Sequence, residues 1–338
     1  MVQSEHSLTV SIIIPVFAVS DYIECSISSV MRQTYGHIEC IIVDDVSPDD
    51  SITKCEQLIS NYGGPIRFSI LHHEQNRGLS AARNTGTNAV TGEYIFYFDS
   101  DDELTPDCIE KMVNPILNDP TIEMVQGNYE IYSQCHNSQA LIKKRRTQLQ
   151  EGDYDSKESV WRLYKFGKGY DGHAWNKLIK KEFLCQHQLY FKEGVMWEDM
   201  IWSFISVQYL SHLYIIPDVT LLYYIRPQSI MTGTSGKERA CHLEIVYDEI
   251  AKHFTIDDKG WEAKKYLRGF CSVLIYKYDS QIAQQTANVF LDALSGRPYT
   301  FERLYLRFTI FLSKFSLGRG FFALARSIHM GILKKLDK

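Results

Sequence analysis

The first third of the chain alternates between short, nearly continuous apolar runs and longer segments in which apolar residues recur at helical spacing. The apolar runs are rich in β-branched and aromatic residues and predict strands at residues 10–15, 38–43, 66–71 and 94–98. The intervening segments predict helices at residues 21–33, 51–62 and 80–89. Because such strands alternate with helices, we predict an α/β, Rossmann-like fold whose mainly parallel sheet is covered by helices on both faces.

Three of the predicted strands end at residues that can shape or bind a ligand. Pro15, Asp45 and Asp99 lie at carboxyl ends, where sheets of this kind collect their ligands. Asp99, Ser100 and Asp101 place two carboxylates one residue apart. Mg²⁺ and Mn²⁺ commonly join one or two carboxylates to the phosphates of a substrate, so the pattern favours a nucleoside diphosphate. Turn formation or helix capping is the alternative, and the tripeptide alone favours it.

Composition narrows the class of protein. A length of 338 residues predicts roughly two or three structural units. The formal net charge of −5 argues against a nucleic-acid partner. The eight cysteines form no close CxxC pair, which predicts neither a zinc site nor a disulfide framework and favours a reducing, cytoplasmic compartment. The sequence begins without an export signal and contains no apolar run long enough to span a bilayer.

The charge is uneven along the chain. Residues 295–338 carry nine Lys or Arg residues against two acidic ones, and these alternate with apolar residues. A basic amphipathic helix of this kind suits peripheral contact with the cytoplasmic face of the inner membrane. A helix packed on its own domain, with a solvated basic face, is the equally favoured alternative. Helical spacing at residues 238–254, 261–278 and 281–293 places this tail in a longer helical region.

Five motifs occur in the order and at the spacing seen in inverting glycosyltransferases of family 2, which the chain resembles. They are VSIIIPVF, IECIIVDDVSPDDS, NRGLSAARNTG, TGEYIFYFDSDD and WED, and they cover about the first two hundred residues. The resemblance implies a GT-A fold of the nucleotide-diphospho-sugar transferase type. It also implies a catalytic domain at residues 1–235, with a donor half at about 8–105 and an acceptor half at about 106–235. The helical region at 236–338 then follows.

The resemblance implies a nucleotide-sugar donor, most typically a UDP-sugar. The end of the first strand, at Pro15, Val16 and Phe17, would hold the uridine, and Asp45 would accept a hydrogen bond from the uracil edge. The other implied donor contacts are Gly78, Arg83, Asn84, Asp99 and Ser100. The chain departs from many relatives in two places: it has Phe17-Ala18 instead of Tyr-Asn, and Val46-Ser47-Pro48 where Gly-Ser is usual. Pairing with a neighbouring acid is the alternative for Arg83, and Ser47 can cap the following helix.

The resemblance also assigns the metal site and the chemistry. Asp101 would bind Mn²⁺ or Mg²⁺ directly, and Asp99 would contact the ribose or the hydrated cation. Asp102 is a weaker candidate that can instead cap the next helix. Asp199 would be the base that deprotonates the acceptor, with Glu198 as its support or its substitute. The alternative for Asp199 is capping of a helix predicted at residues 200–209.

Three further residues are implied on the acceptor or diphosphate side. Trp175 offers a face to a sugar, and His173 can hydrogen-bond a hydroxyl or phosphate. Both can equally belong to the core. Arg226 can close over the leaving diphosphate, although a solvated surface position is the alternative.

The resemblance thus predicts a metal-dependent, inverting glycosyltransferase of the hexosyltransferase type. Its acceptor would be a hydroxyl of a glycan or a lipid-linked oligosaccharide in the biosynthesis of surface polysaccharide, such as capsule or lipopolysaccharide. A nucleotidyltransferase is one alternative, but residues 17–21 lack the glycine-rich basic loop that it would need. A nucleotide-sugar-binding or scaffold protein without catalysis is the other, and Asp99, Asp101 and Asp199 argue against it.

Overall fold

The structure, a computed structural model, describes residues 8–132, 151–166, 169–225 and 236–253. The chain divides into two compact units, Met1–Gly233 and Thr234–Lys338. The predicted helices at 261–278 and 281–293, the basic tail at 295–338 and Arg226 lie outside the described residues.

The four predicted strands form one parallel half of a sheet. Their spatial order is β3 (Arg67–His72), β2 (Ile38–Asp44), β1 (Val10–Val16) and β4 (Tyr94–Tyr97). Every residue of β1 is buried, because both faces of the strand are covered. This confirms the prediction of an α/β fold from near-continuous apolar runs.

Three helices connect these strands and cover both faces. They are α1 (Ile23–Met31), α2 (Ser51–Ser60) and α3 (Leu79–Ala89). Ile12 and Ile14 share a core cluster with Ile23 of α1, whereas Ile13 points to the opposite face, toward α3. A Cβ atom at Gly86 of α3 would lie 2.4 Å from a methyl carbon of Ile13, so glycine permits this close approach of helix and strand.

The second half of the sheet is mixed. Next to β4 comes β8 (Lys177–Lys180), antiparallel, followed by β6 (Met124–Tyr132), β9 (Leu213–Tyr224) and β5 (Glu103–Leu104), while β7 (Gly152–Tyr154) pairs with β9. β6 and β9 are parallel to each other. The helices of this half are α4 (Cys108–Asn118), α5 (Lys157–Phe166), α6 (Lys181–Gln186) and α7 (Glu198–Tyr209). The pairing of β8 with β4 brings the second half of the sheet beside the strand that precedes the paired acids.

One helix of the second unit is described, α8 (Gly236–Lys252), and it matches the helix predicted at residues 238–254. Val246 and Ile250 are fully buried. In the described part of the chain, no helix combines the length and the apolar composition that crossing a bilayer requires.

Candidate active site

A single buried guanidinium joins three of the predicted site acids. Arg83, on α3, has a side chain that is only 1% exposed. Its Nη2 donates to Oδ1 of Asp99 at 2.8 Å, directly after β4. Its Nη1 donates to Oε1 of Glu198 at 2.7 Å and to Oδ1 of Asp199 at 3.1 Å, both in the first turn of α7. Arg83 therefore connects the end of the donor strand to the candidate base, which is the acid-pairing role expected as its alternative.

Burial and the neighbouring charges in this cluster shift the pKa values of Arg83 and Glu198. Burial acts to lower the pKa of Arg83, but Asp99, Asp199 and Glu198 outweigh it and raise that pKa, so the guanidinium stays charged. The guanidinium also lies over the ring of Phe191, 5.2 Å from its centroid. Burial, together with repulsion from Asp199, raises the pKa of Glu198 to about 7, although Arg83 acts in the opposite direction. Glu198 therefore keeps its proton to a higher pH than an ordinary glutamate does.

Glu198→Gln should make the pH dependence of stability flatter. Because the pKa of Glu198 is raised from 4.5 to about 7, the folded state holds this proton more tightly than the unfolded chain does. The resulting stabilisation is complete below about pH 4.5 and is lost as the pH rises through 7. Glutamine does not titrate, so between pH 4.5 and 7.5 the free energy of unfolding of the wild type should fall by on the order of 2–3 kcal/mol relative to that of the variant.

Urea unfolding of both proteins at several pH values measures the difference. Parallel profiles would contradict it, and the exposed Glu182, changed to Gln, is the control.

The start of α7 differs from the prediction and presents Asp199 more openly than Glu198. The helix begins at Glu198 rather than at residue 200, and its N-cap is Trp197 in the left-handed conformation, with φ 61°. The expectation that Asp199 caps this helix is therefore wrong, because Asp199 already lies within the first turn. Its side chain is 19% exposed, against 9% for Glu198. Asp199 is thus the acid that an acceptor hydroxyl can reach more easily.

The end of β1 offers one side chain to a ligand. Pro15 and Val16 are buried, whereas the ring of Phe17 is 46% exposed. Ser100, in the turn after β4, is buried. A base that stacks at this edge would therefore contact Phe17. Pro15, Val16 and Ser100 are buried at the same edge.

Asp45 is held by the loop that precedes α3. Its two carboxylate oxygens accept the backbone N–H groups of Arg77 and Gly78, each at 2.7 Å. Nδ1 of His73 lies 2.7 Å from Oδ1 of Asp45, and Nε2 of His73 lies 2.9 Å from the hydroxyl of Thr85. A carboxylate only accepts, so Nδ1 carries the proton. Of the roughly four lone-pair positions of a carboxylate, one is left for the predicted uracil N–H, and that contact stays a prediction.

The sequence interpretation missed His73, although it directly follows β3 at the sheet edge where the ligand residues converge. Gly78 was included, and its φ of 86° explains why glycine stands there.

The turn after β2, which lacks the usual Gly-Ser, is held by side-chain hydrogen bonds. Asp44 accepts the N–H of Ser47 at 2.8 Å, which is the turn role expected for it. Ser47 does not cap α2, because that helix begins at Ser51, whose N–H is accepted by Asp49. The hydroxyl of Ser47 instead accepts the N–H of Ala18 at 2.9 Å. Asp102 likewise caps no helix: α4 follows Asp107, and Asp102 accepts the N–H of Tyr224.

Asn84 anchors the segment that leads to α7. Its side-chain amide donates to the carbonyl of Phe191 and accepts the N–H of the same residue, both at 2.9 Å. Arg77 adds an exposed ion pair with Glu193 at 3.2 Å. These contacts give Asn84 a positioning role, and its predicted contact with the nucleotide stays a prediction.

The acceptor side contains a stack of aromatic rings. Trp175 is buried, and its ring stacks against both His173, with centroids 4.5 Å apart, and Tyr223, with centroids 5.6 Å apart. The ring of Trp175 is already packed among these neighbours, and its sugar-stacking role stays a prediction. His173 remains half exposed, and its Nδ1 lies 2.6 Å from Asp171. His173 is therefore the residue of this pair that a hydroxyl or phosphate can reach.

A second buried cation lies near the cluster. Lys177, on β8, donates to the carbonyl of His173. Burial lowers the pKa of Lys177 to about 8, while Asp171 and Asp199 act in the opposite direction. The sequence interpretation did not single out Lys177, since only the pairing of β8 with β4 brings this lysine close to the acids.

The candidate metal ligands suit a cation that is also bound by the substrate. Among the described residues, no group of three or more His, Cys, Asp or Glu side chains is placed to hold a metal ion alone. Asp99 and Asp101 supply two carboxylates at the end of β4, and one oxygen of Asp99 is bonded to Arg83. Mg²⁺ and Mn²⁺ sites of this type are completed by substrate phosphates and water. The residues present therefore fit such a cation together with a diphosphate.

Asp45 and Asp99 of this site lie at the carboxyl ends of parallel strands, where sheets of this kind bind their ligands. The model of the family described as glycosyl transferase family 2 matches residues 11–192, more than half of the chain. The chain therefore belongs to glycosyltransferase family 2.

Named relatives and solved structures agree with this assignment. Glycosyltransferase GlyG of Streptococcus pneumoniae is 27% identical over 66% of this chain and 72% of its own length. Glycosyltransferase GlyA of the same organism is 31% identical over 56% of this chain, which spans only 27% of GlyA. The crystal structure of S. aureus TarS 1-349 in complex with UDP-GlcNAc superposes with a TM-score of 0.59 at 15% identity, covering 85% of this chain and 80% of that 1-349 chain.

The mannosyltransferase PcManGT from Pyrobaculum calidifontis, solved with GDP-Man and Mn²⁺, has a TM-score of 0.56 at 15% identity over 93% and 89% of the two chains. At these identities the structural likeness shows the fold, and it confirms the predicted GT-A architecture.

Proposed function

We propose that this protein is an inverting glycosyltransferase of the hexosyltransferase type. It transfers a sugar from a nucleotide-sugar donor to a hydroxyl of a glycan or lipid-linked oligosaccharide. The observation that carries the proposal is the contact of one buried guanidinium, that of Arg83, with Asp99 on the donor side and with Glu198 and Asp199 on the acceptor side. A binding or scaffold protein would have no need to hold a candidate base against the donor edge.

In the proposed reaction, Asp199 takes the proton of the acceptor hydroxyl. The oxygen forms a bond to the anomeric carbon while the bond from that carbon to the β-phosphate oxygen breaks, and the configuration inverts. The electron pair leaves with the nucleoside diphosphate. Arg83 holds Asp199 and Glu198 in place, and its contact with Asp99 fixes the distance between the base and the donor edge.

Mn²⁺ or Mg²⁺ is the proposed cofactor, with Asp101 as its direct ligand and Asp99 as the second oxygen donor. When bound, the cation would offset the negative charge that builds up on the diphosphate. PcManGT, which shares the fold, has been solved with Mn²⁺.

Asp101→Ala should abolish the dependence of donor binding on the cation. Without the Asp101 carboxylate, the remaining donor oxygens hold Mn²⁺ too weakly for it to bridge the diphosphate. Calorimetric titration of UDP with and without Mn²⁺ measures the effect, and the exposed Asp155, changed to Ala, is the control. An Mn²⁺ effect of wild-type size in Asp101→Ala would remove Asp101 from the metal site.

UDP-sugar is the proposed donor class. The one free acceptor position of Asp45 suits a ring N–H such as that of uracil, and Phe17 offers a face to the base. TarS, which shares the fold, was crystallised with UDP-GlcNAc, whereas PcManGT was crystallised with GDP-Man. His173 is the proposed acceptor contact.

The proposed setting is surface polysaccharide biosynthesis. The proposed donor and acceptor halves are residues 8–105 and 106–235. For the basic tail at 295–338, which lies outside the described residues, we propose peripheral contact with the cytoplasmic face of the membrane.

A further inference from the structure

Two exposed apolar residues follow neighbouring parallel strands at the predicted donor edge. Phe17 is 46% exposed and Val46 is 42% exposed, and they are the exposed large hydrophobic residues of the described donor half. Phe17 directly follows β1, and Val46 follows its parallel neighbour β2 after Asp45. The N–H of Asp45 donates to the carbonyl of Val16 at 3.0 Å, so the two strand ends are in register. The N–H of Ala18 donates to the hydroxyl of Ser47 at 2.9 Å, which ties together the residues that follow each side chain.

The backbone of Val46 is strained. Its φ is 60°, in the left-handed region, which a β-branched residue seldom adopts. Glycine or asparagine would occupy this conformation at lower cost. Because the side chain is exposed, it adds little to the packing of the core. Strain of this kind in an exposed position points to a functional role rather than to a contribution to folding.

The surrounding turn holds Val46 in this conformation. Asp44 accepts the N–H of Ser47 at 2.8 Å, and the hydroxyl of Ser47 donates to Asp49 at 2.7 Å. Asp49 in turn accepts the N–H of Ser20 at 2.9 Å, from the loop that follows Phe17. Hydrogen bonds therefore connect the loop after β1 to the loop after β2 both before and after Val46. The backbone of these loops is held in place before any ligand arrives, which lowers the entropy cost of binding.

We propose that Val46 contacts the nucleobase of the donor and adds an apolar contact to that of Phe17. This inference rests on the proposed function. A nucleobase has flat, weakly polar faces, so an apolar surface contributes to its affinity without contacting the diphosphate or the sugar. Asp45, between the two side chains along the same edge, would contact the polar rim of the base.

Val46→Gly and Val46→Asn test the inference, because both relieve the strain and both remove the apolar surface. We expect the Kd for UDP, measured calorimetrically with Mn²⁺, to rise about fivefold in each variant. The midpoint of thermal unfolding should stay equal or rise by about 2–4 °C, since the left-handed backbone suits the new residues. Inhibition of UDP binding by inorganic pyrophosphate, which lacks a base, should be unchanged. Leu117→Ala, at another exposed apolar residue, on α4, is the matched control and should alter none of these values.

A Kd for UDP at the wild-type value in both Val46 variants would overturn the inference and leave the proposed function intact. An equal loss of pyrophosphate inhibition would also overturn it, because the effect would then not come from the base. If the wild type itself bound neither UDP nor any other nucleoside diphosphate, the proposed function would fail, and this inference with it.

Discussion

Asp199→Asn should reduce sugar transfer by about a thousandfold while changing the affinity for UDP by less than about twofold. Asparagine keeps the shape of aspartate and can still accept the hydrogen bond from Nη1 of Arg83, so the cluster should stay assembled. It cannot take the proton of the acceptor hydroxyl. The rate of transfer from the preferred donor and the calorimetric Kd for UDP are the two measurements.

Glu198→Gln is the comparison that separates the two acids. Glu198 is the more buried of the pair and pairs more closely with Arg83, so we assign it a supporting role. Its replacement by glutamine should therefore cost less transfer than Asp199→Asn. Turnover retained in Asp199→Asn and lost in Glu198→Gln would reverse the assignment and make Glu198 the base.

Arg83→Lys should lower the free energy of unfolding by about 2–4 kcal/mol and reduce transfer by about a hundredfold. The guanidinium donates to three carboxylates through a planar fork, whereas a lysine ammonium is a point charge that cannot reach all three from the same backbone position. At least one buried acid is then left without its partner. Urea unfolding and transfer kinetics check the two effects.

Arg77→Lys provides a matched control for this exchange. Arg77 lies six positions earlier, and its ion pair with Glu193 is exposed on both sides. Exposed pairs contribute little, so the same substitution there should change the free energy of unfolding by less than about 1 kcal/mol. Equal stability and equal turnover in the two variants would mean that the buried contacts of Arg83 do not organise the site.

The donor half of the fold could be predicted because its strands are buried on both faces. β1, at Val10–Val16, is apolar except for the buried Ser11, and the predicted strand at 10–15 differs by one residue. The ligand-binding residues are then expected at the carboxyl ends of these strands. For that reason Asp45 and Asp99 could be placed at one edge of the sheet from the sequence alone.

The acceptor half could not be predicted in the same way. β8, at Lys177–Lys180, has only four residues and begins and ends with lysine, so no periodic pattern distinguishes it from a loop. It is a strand because β4 and β6 supply its hydrogen bonds from either side. Long-range pairing of this kind is not encoded in local propensity.

The hydrogen-bond partners of Arg83 could not be predicted from the sequence either. Its charge and its place in the NRGLSAARNTG motif are visible, but Glu198 and Asp199 lie 115 and 116 positions away. The pattern left a diphosphate and a neighbouring acid as alternatives; the packing of α7 beside α3 and β4 shows the acid contacts, and the contact with a diphosphate stays a prediction. The strained backbone of Val46 could not be predicted for a similar reason. The sequence shows the residue, but its conformation depends on the surrounding loops.

The release of UDP by the purified full chain from a panel of UDP-sugars, in Mn²⁺, in Mg²⁺ and in EDTA, tests the central claim most directly. We expect that one donor is hydrolysed, that hydrolysis requires the divalent cation, and that EDTA stops it. Absence of release from every donor, together with no calorimetric binding of UDP, would contradict the assignment of this site to UDP-sugar chemistry.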